Sequence, residues 1–327
     1  MARKVPCVLA CAVLGLLLAG CSLVELAGGQ LAIIDDQRPL PRAIADERDP
    51  ERRALLAEVP EARRYAEQVL ALDAGKSYTG YYATEREGMT YVVTACERFR
   101  FEAYTWWFPI VGSVEYRSYA EAEEAEAAAA ELEARGYDTW VAPSRAYSTL
   151  GFFRDPISTT MLRDSLPGLV EVIFHELAHV RLYVPGRTEW NEALATFVGE
   201  TGAEQYFARA RFRGTPWPAE MTERTRKKRE LDVLVAGAYD DLARAYASGA
   251  SPASLAAHRT RVFSALTRAL TRLHPSHDRK HWAMNNARLM HLRRYSASAD
   301  QFVKLWEQSG QRWRVFWQLV QAHAHEQ

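Results

Sequence analysis

Val170-Glu171-Val172-Ile173-Phe174-His175-Glu176-Leu177-Ala178-His179, with Asn191-Glu192-Ala193-Leu194-Ala195 a short way on, is the stretch that organises the chain. On a helix, the H-E-x-x-H spacing puts His175 and His179 one turn apart on one face, where two imidazoles can grip one metal ion. Glu176 lies round the edge of that face. It is poorly placed as a ligand and well placed to take a proton from a water that the metal activates. Val172, Ile173, Phe174, Leu177, Ala178 and Val180 predict a buried helix that holds those rotamers still.

H-E-x-x-H arises by chance in on the order of one per cent of chains this long, and a two-histidine helix can be an ordinary half-buried one. The following residues argue for a site. A catalytic zinc needs three protein ligands and one open position, and Glu192 is the obvious third donor. After His179 the helix can continue about five residues, near 7 Å, before Pro185-Gly186 breaks it. Thr188 then caps a second helix, which returns about four residues, near 6 Å, to Glu192. Rise and return nearly match, so a helical hairpin brings Glu192 level with the histidines.

This stretch resembles the gluzincin branch of zinc peptidases, whose third ligand is the Glu of an Asn-Glu pair on a second helix. The spacer from His179 to Glu192 is shorter than in the best-known gluzincins. More closely, the chain is similar to a bacterial aminopeptidase family of envelope lipoproteins. The resemblance covers most of the mature chain: Phe108-Pro109-Ile110-Val111-Gly112, Tyr116-Arg117, Gly136-Tyr137-Asp138, Ala146-Tyr147-Ser148-Thr149-Leu150-Gly151, Asp155-Pro156, the metal stretch, and Asn285-Asn286-Ala287-Arg288-Leu289. It implies a helix-rich α+β, zincin-like fold: a small mixed sheet over the active-site helix, with an edge strand that offers main-chain hydrogen bonds to a peptide.

The amino terminus reads as a targeting segment. Arg3 and Lys4 precede an apolar run from Val5 to Leu18, too short for an ordinary span, and Leu18-Ala19-Gly20-Cys21 looks like a bacterial lipobox. Residues 1–20 are then a signal peptide and Cys21 carries the lipid; the competing reading is an ordinary secretory signal with a chance cysteine. Ser22 follows where retention at the inner membrane usually needs Asp, so the expected location is the outer membrane, facing the periplasm. Acyl chains add about 0.8 kcal/mol per buried methylene, which makes such an anchor stable. Only Cys96 would keep a free thiol in the mature chain, since Cys21 is acylated, so no internal disulfide is expected.

The 327 residues are 48% hydrophobic and 25% charged, enough for one large domain or two packed subdomains. Lys plus Arg and Asp plus Glu both total 41, which gives no sign of a nucleic-acid partner. The basic run Arg224 to Arg229, flanked by Glu223 and Glu230, reads as a solvated helix face. Expected units are a tether over 21–45, a catalytic core over 46–213 and a helical C-terminal subdomain over 214–327. Apolar spacing predicts a helix over 51–72, which Pro60 can kink or split. Strands are expected at 89–95, 106–110, 113–116 and 139–142, with an Ala- and Glu-rich helix over 120–134. Asp155-Pro156 reads as an N-cap and first-turn proline. Helices are expected over 220–248, 252–272, 281–295 and 299–322.

These residues together predict a zinc-dependent peptidase. His175, His179 and Glu192 would bind Zn2+, and Glu176 would serve as general base and then acid. Asn191 and Thr196 would orient the histidines from behind. Glu200, two turns past Glu192, could be such a partner, an anchor for a substrate amine, or a solvated residue. Tyr147, Tyr183, Tyr206 and Tyr295 are candidate donors to the developing oxyanion, with Tyr147 favoured because its stretch should border the cleft. The resemblance implies an aminopeptidase; an endopeptidase fits the same residues. The competing class is an envelope scaffold with a structural or vestigial zinc. Glu176 argues against it, since a structural site needs ligands but no base. Substrate and oligomeric state are not legible.

Overall fold

The computed structural model describes residues 36–108, 112–144, 154–276, 281–296 and 299–326. In chain order the elements are β1 (Arg38–Pro39), α1 (Leu40–Asp46), α2 (Pro50–Gln68), β2 (Gly80–Tyr82), β3 (Thr90–Glu97), β4 (Trp106–Phe108), β5 (Gly112–Val114), β6 (Arg117–Tyr119), α3 (Ala122–Ala134) and β7 (Tyr137–Ser144). They continue with β8 (Ile157–Ser158), α4 (Leu166–Arg181), α5 (Thr188–Phe207), α6 (Trp217–Tyr246), α7 (Pro252–Leu273), α8 (Asn286–Ser296), α9 (Asp300–Gln308) and α10 (Trp313–Glu326). The fold is α+β and helix-rich. Among the described residues, no helix is long and apolar enough to cross a membrane.

The metal stretch lies on α4, whose Ile173, Phe174, Leu177 and Ala178 are buried as their spacing predicts. Helix α5 runs back along it. Two glycines set how closely. A Cβ at Gly199 would stand 2.9 Å from the Glu171 carbonyl oxygen and 3.2 Å from the His175 Cβ. At Gly202 it would meet Leu70 at 2.8 Å and Phe174 at 3.0 Å. The two helices therefore touch backbone to backbone at the first histidine. We expect Gly199→Ala to force them apart, with a destabilisation of about 1–3 kcal/mol from overpacking. Thermal unfolding alongside a metal titration checks this; unchanged values for both would show that the contact is slack.

Helix α2 continues through Pro60 because the proline stands on the exposed face, while Leu56, Val59 and Ala62 face the core. Strand β3 lies between β6 and β7, antiparallel to both, from Thr90 opposite Ser144 to Glu97 opposite Tyr137. The expected crossover is the step from β6 through α3 to β7, and the parallel pairing in the fold is β2 with β8. The three-stranded sheet packs against α3 and α8.

Several sequence expectations change. Residues 38–45 are not tether throughout, because β1 pairs with β2 and Leu40 and Ala43 enter the core. Asp155 starts no helix; it is buried in the loop before β8, and its carbonyl accepts from the Tyr78 amide at 2.6 Å. Thr188 is the first residue of α5 rather than its cap, a position held by Arg187. The last expected helix divides into α9 and α10 at Gly310 and Gln311, both at positive φ. Residues 214–327 have no single core of their own. Helices α6, α7 and α8 share one apolar cluster, whereas Phe302, Phe316 and Trp317 belong to the same cluster as α4 and α5.

Two motifs far apart in sequence meet. The Asp138 carboxylate accepts from the Asn286 amide at 2.9 Å, and the Asn286 side chain donates to the Glu97 carbonyl at 2.8 Å. Asn285 caps α8 through the Arg288 amide at 2.9 Å and donates to the Thr139 carbonyl at 2.8 Å. Arg288 lies over the Trp140 ring at 3.9 Å. These bonds fasten the start of α8 to β3 and β7, which fixes where its far end points.

Candidate active site

Side chains from α4 and α5 converge as the hairpin arithmetic requires. His175 Nε2 and His179 Nε2 are 3.2 Å apart, Glu192 Oε2 is 3.5 Å from the first, and Glu192 Oε1 is 3.7 Å from the second. Ligand atoms about 2.0–2.2 Å from one tetrahedral zinc ion stand roughly 3.3–3.6 Å apart, so the triad fits such an ion. It is the one group of three metal-binding side chains of this kind among the described residues. Its donor set, two imidazoles and a carboxylate, suits zinc chemically.

Charge at the triad is strongly biased. Burial would raise the Glu192 carboxyl, but its bond to His175 and the charges of His179, His175 and Arg294 bring it down to about 2. Burial holds His179 at about 4, hence neutral near pH 7. Burial also works against a charge on His175, yet Glu192, by hydrogen bond and charge, and Glu176 carry that imidazole above its ordinary value. An ionised carboxylate and a neutral imidazole are ligand-ready forms. A cation bound here would favour the deprotonated form of His175.

Glu176 is half-buried beside His175. Its charge reaches both the Tyr78 and the Tyr116 phenols, which places it toward the site. Neither residue expected behind the histidines bonds an imidazole among the described residues. Asn191 grips the backbone of Val184 in both directions at 2.8 Å, locking the turn between α4 and α5. Thr196 is half-buried and makes no hydrogen bond to either imidazole among the described residues, and His179 Nδ1 has no partner among them.

Glu200 is not a solvated residue. It lines a separate 420 Å³ cavity with Glu171, Arg224 and Lys228, lies 3.7 Å from the Lys228 ammonium, and burial raises its carboxyl to about 7. Within the basic run, Arg224 departs from the surface reading by bonding Asp164 at 3.1 Å and Glu171 at 3.3 Å. Arg226 follows that reading, paired with Glu223 and Glu230.

Of the candidate oxyanion donors, Tyr147 lies outside the described residues, as does Cys21. The Tyr295 side chain lies outside them too. Tyr206 is excluded because it is fully buried and its hydroxyl is bonded to Glu58. Tyr183 remains, its ring 6.3 Å from that of His179. Sequence reasoning missed Tyr116, between β5 and β6. Burial, then the charges of Glu192 and Glu176, push its phenol up to about 12, so it stays a proton donor at neutral pH. It also missed two residues of α8: Arg294, whose charge lowers Glu192, and His291, which burial keeps neutral and which feels the Glu192 charge.

A family model described as "Putative aminopeptidase" matches residues 22–327. The chain belongs to this family. By that description the family is one of peptidases, so at this level the chain is a hydrolase. The match takes in every residue of the triad, Glu176, Tyr116 and α8. No curated protein and no solved structure matches the chain.

Proposed function

We propose that the protein is a zinc-dependent, zincin-like metallopeptidase of the cell envelope that trims peptides from their amino ends. The observation that carries the reading is the spacing of His175, His179 and Glu192, with a carboxylate, Glu176, next to them that is not needed as a ligand. Bound zinc supplies Lewis acidity toward a water and the substrate carbonyl. Glu176 accepts the proton as the water oxygen adds to the carbonyl carbon, then delivers it to the departing amine. A phenol donates to the oxygen that gains negative charge. Tyr116 and Tyr183 are the described residues suited to that donation, and Tyr147 is the further candidate.

Tyr116→Phe, Tyr183→Phe and Tyr147→Phe separate the donors. Loss of the true donor lowers kcat by about 100- to 1,000-fold with metal content unchanged. A kcat that stays at the wild-type value in one variant removes that residue from the role. The reading as a whole is tested by zinc analysis of the soluble chain and hydrolysis of matched peptides with free and blocked amino ends. Cleavage of only the free-amine series is expected. Cleavage of both series would make the enzyme an endopeptidase, and cleavage of neither would leave the scaffold.

The lipobox-like Leu18-Ala19-Gly20-Cys21 supports anchoring at the outer membrane through Cys21, with the enzyme facing the periplasm. Cys21→Ser is expected to release the chain from the membrane fraction or leave its signal uncleaved. A processed variant that stays on the membrane would refute the anchor.

A further inference from the structure

Arg294 is a guanidinium without an adequate partner in the described structure. Its residue is 3% exposed, its Nε has no hydrogen-bond partner, and its ion pair is one 3.4 Å contact to Glu115, a side chain 36% exposed. A buried guanidinium usually engages carboxylates through short, often bidentate bonds, because leaving it underpaired is costly. Two partly exposed arginines do so: Arg209 reaches Glu61 at 2.9 Å, and Arg224 is held between Asp164 and Glu171. Arg288, as buried as Arg294, donates to the backbone carbonyls of His281 and Ala283. Arg294 instead sits over the Tyr116 ring, its guanidinium carbon 5.3 Å from the centroid. That flat seat restrains the fork while leaving donors unspent.

Arg294 stands on α8. This helix packs on α5, which carries Glu192, and its first turn is fixed to the sheet by Asn285 and Asn286. Arg294 lowers the Glu192 carboxyl, yet makes no ion pair with it among the described residues. A cation held by His175, His179 and Glu192 would consume the carboxylate's charge. Arg294 would then add to a net positive field beside the reacting bond, which favours an anionic group on the ligand. In an extended peptide each residue adds roughly 3.5 Å. A group on the residue after the scissile bond is thus carried about one such step beyond the reacting carbonyl.

We propose that Arg294, seated on Tyr116, anchors a carboxylate carried by the substrate residue that follows the scissile bond. The preferred substrates are therefore very short peptides ending there, or peptides with an acidic side chain there. The proposal rests on the metallopeptidase reading above and adds the substrate class. Its functional consequence is selection of length or sequence on the leaving side, a property that the triad alone does not confer.

The test uses three dipeptides with the same free amino end: Ala-Ala with a free carboxylate, Ala-Ala amide, and Ala-Glu amide. For the wild type, kcat/KM for the free acid is expected to exceed that for Ala-Ala amide at least tenfold. In Arg294→Gln that ratio should fall to near one, with Arg294→Lys between. Ala-Glu amide matching the free acid would show that a side-chain carboxylate serves as well as the α-carboxylate. If it behaves like Ala-Ala amide, the α-carboxylate is the group. A wild-type ratio near one, or a ratio that persists in Arg294→Gln, overturns the proposal. Calorimetric binding of the free acid and the amide to Glu176→Gln at fixed ionic strength gives the same ratio without turnover. It judges Arg294 even if no peptide is cleaved, which would refute the peptidase reading instead. Should Arg294→Gln not fold, the wild-type ratios decide.

Discussion

Glu176→Gln should keep its metal and its fold and lose about 100- to 10,000-fold in turnover, the usual range for a missing acid–base group. The amide has the shape of the carboxylate but cannot accept a proton. Glu176 stands on α4 next to His175 without joining the triad, so the exchange removes no ligand. The surroundings also suit a base that must fire repeatedly. It is half-buried, its charge is felt at the Tyr116 phenol, and it favours the charged form of the neighbouring imidazole. The comparison needs equal metal content in both proteins and one peptide substrate in excess. A scaffold with structural zinc has no use for a base and would be indifferent to the change. Wild-type hydrolysis that survives in Glu176→Gln would therefore rule out the mechanism.

The parts of the site that could be read from sequence share a cause: they are local. The i, i+4 histidines lie on one face of any helix, and a short break followed by a second helix leaves little choice about where Glu192 lands. Gly199 was not legible as the crossing point, because its role depends on the angle at which α5 meets α4. Tyr116 and Arg294 are separated from the triad by about 60 and 100 residues of chain. Their place depends on the docking of α8, through Asp138 and Asn286, which no periodicity reports. Each of those residues stood in or near a motif that the resemblance singled out, but a motif does not say what it touches. Asp155-Pro156 failed for a related reason. Its local pattern fits a helix start, yet the Asp155 carbonyl is taken by Tyr78 from a distant loop, and β8 follows instead. Tertiary pairing overrode local preference.

Glu192→Ala should weaken metal binding by more than the ten- to hundredfold that losing an outer partner costs, because it removes one of three protein donors. The electrostatics add to the loss. Glu192 opposes the burial of His175 by hydrogen bond and charge, and its carboxyl is itself lowered by the charge of Arg294. Without it the two buried imidazoles lose the carboxylate that bonds His175, and an incoming dication loses its anionic donor. Glu200→Gln is the control. It sits on the same helix two turns further on, but its side chain lines the cavity beside Lys228 and Arg224 rather than the triad. Metal affinity in that variant should stay within a few-fold of wild type in a competitive chelator titration. If Glu200→Gln strips the metal while Glu192→Ala retains it, the third donor lies on the wrong rung of α5, and the hairpin arithmetic that selected Glu192 fails with it.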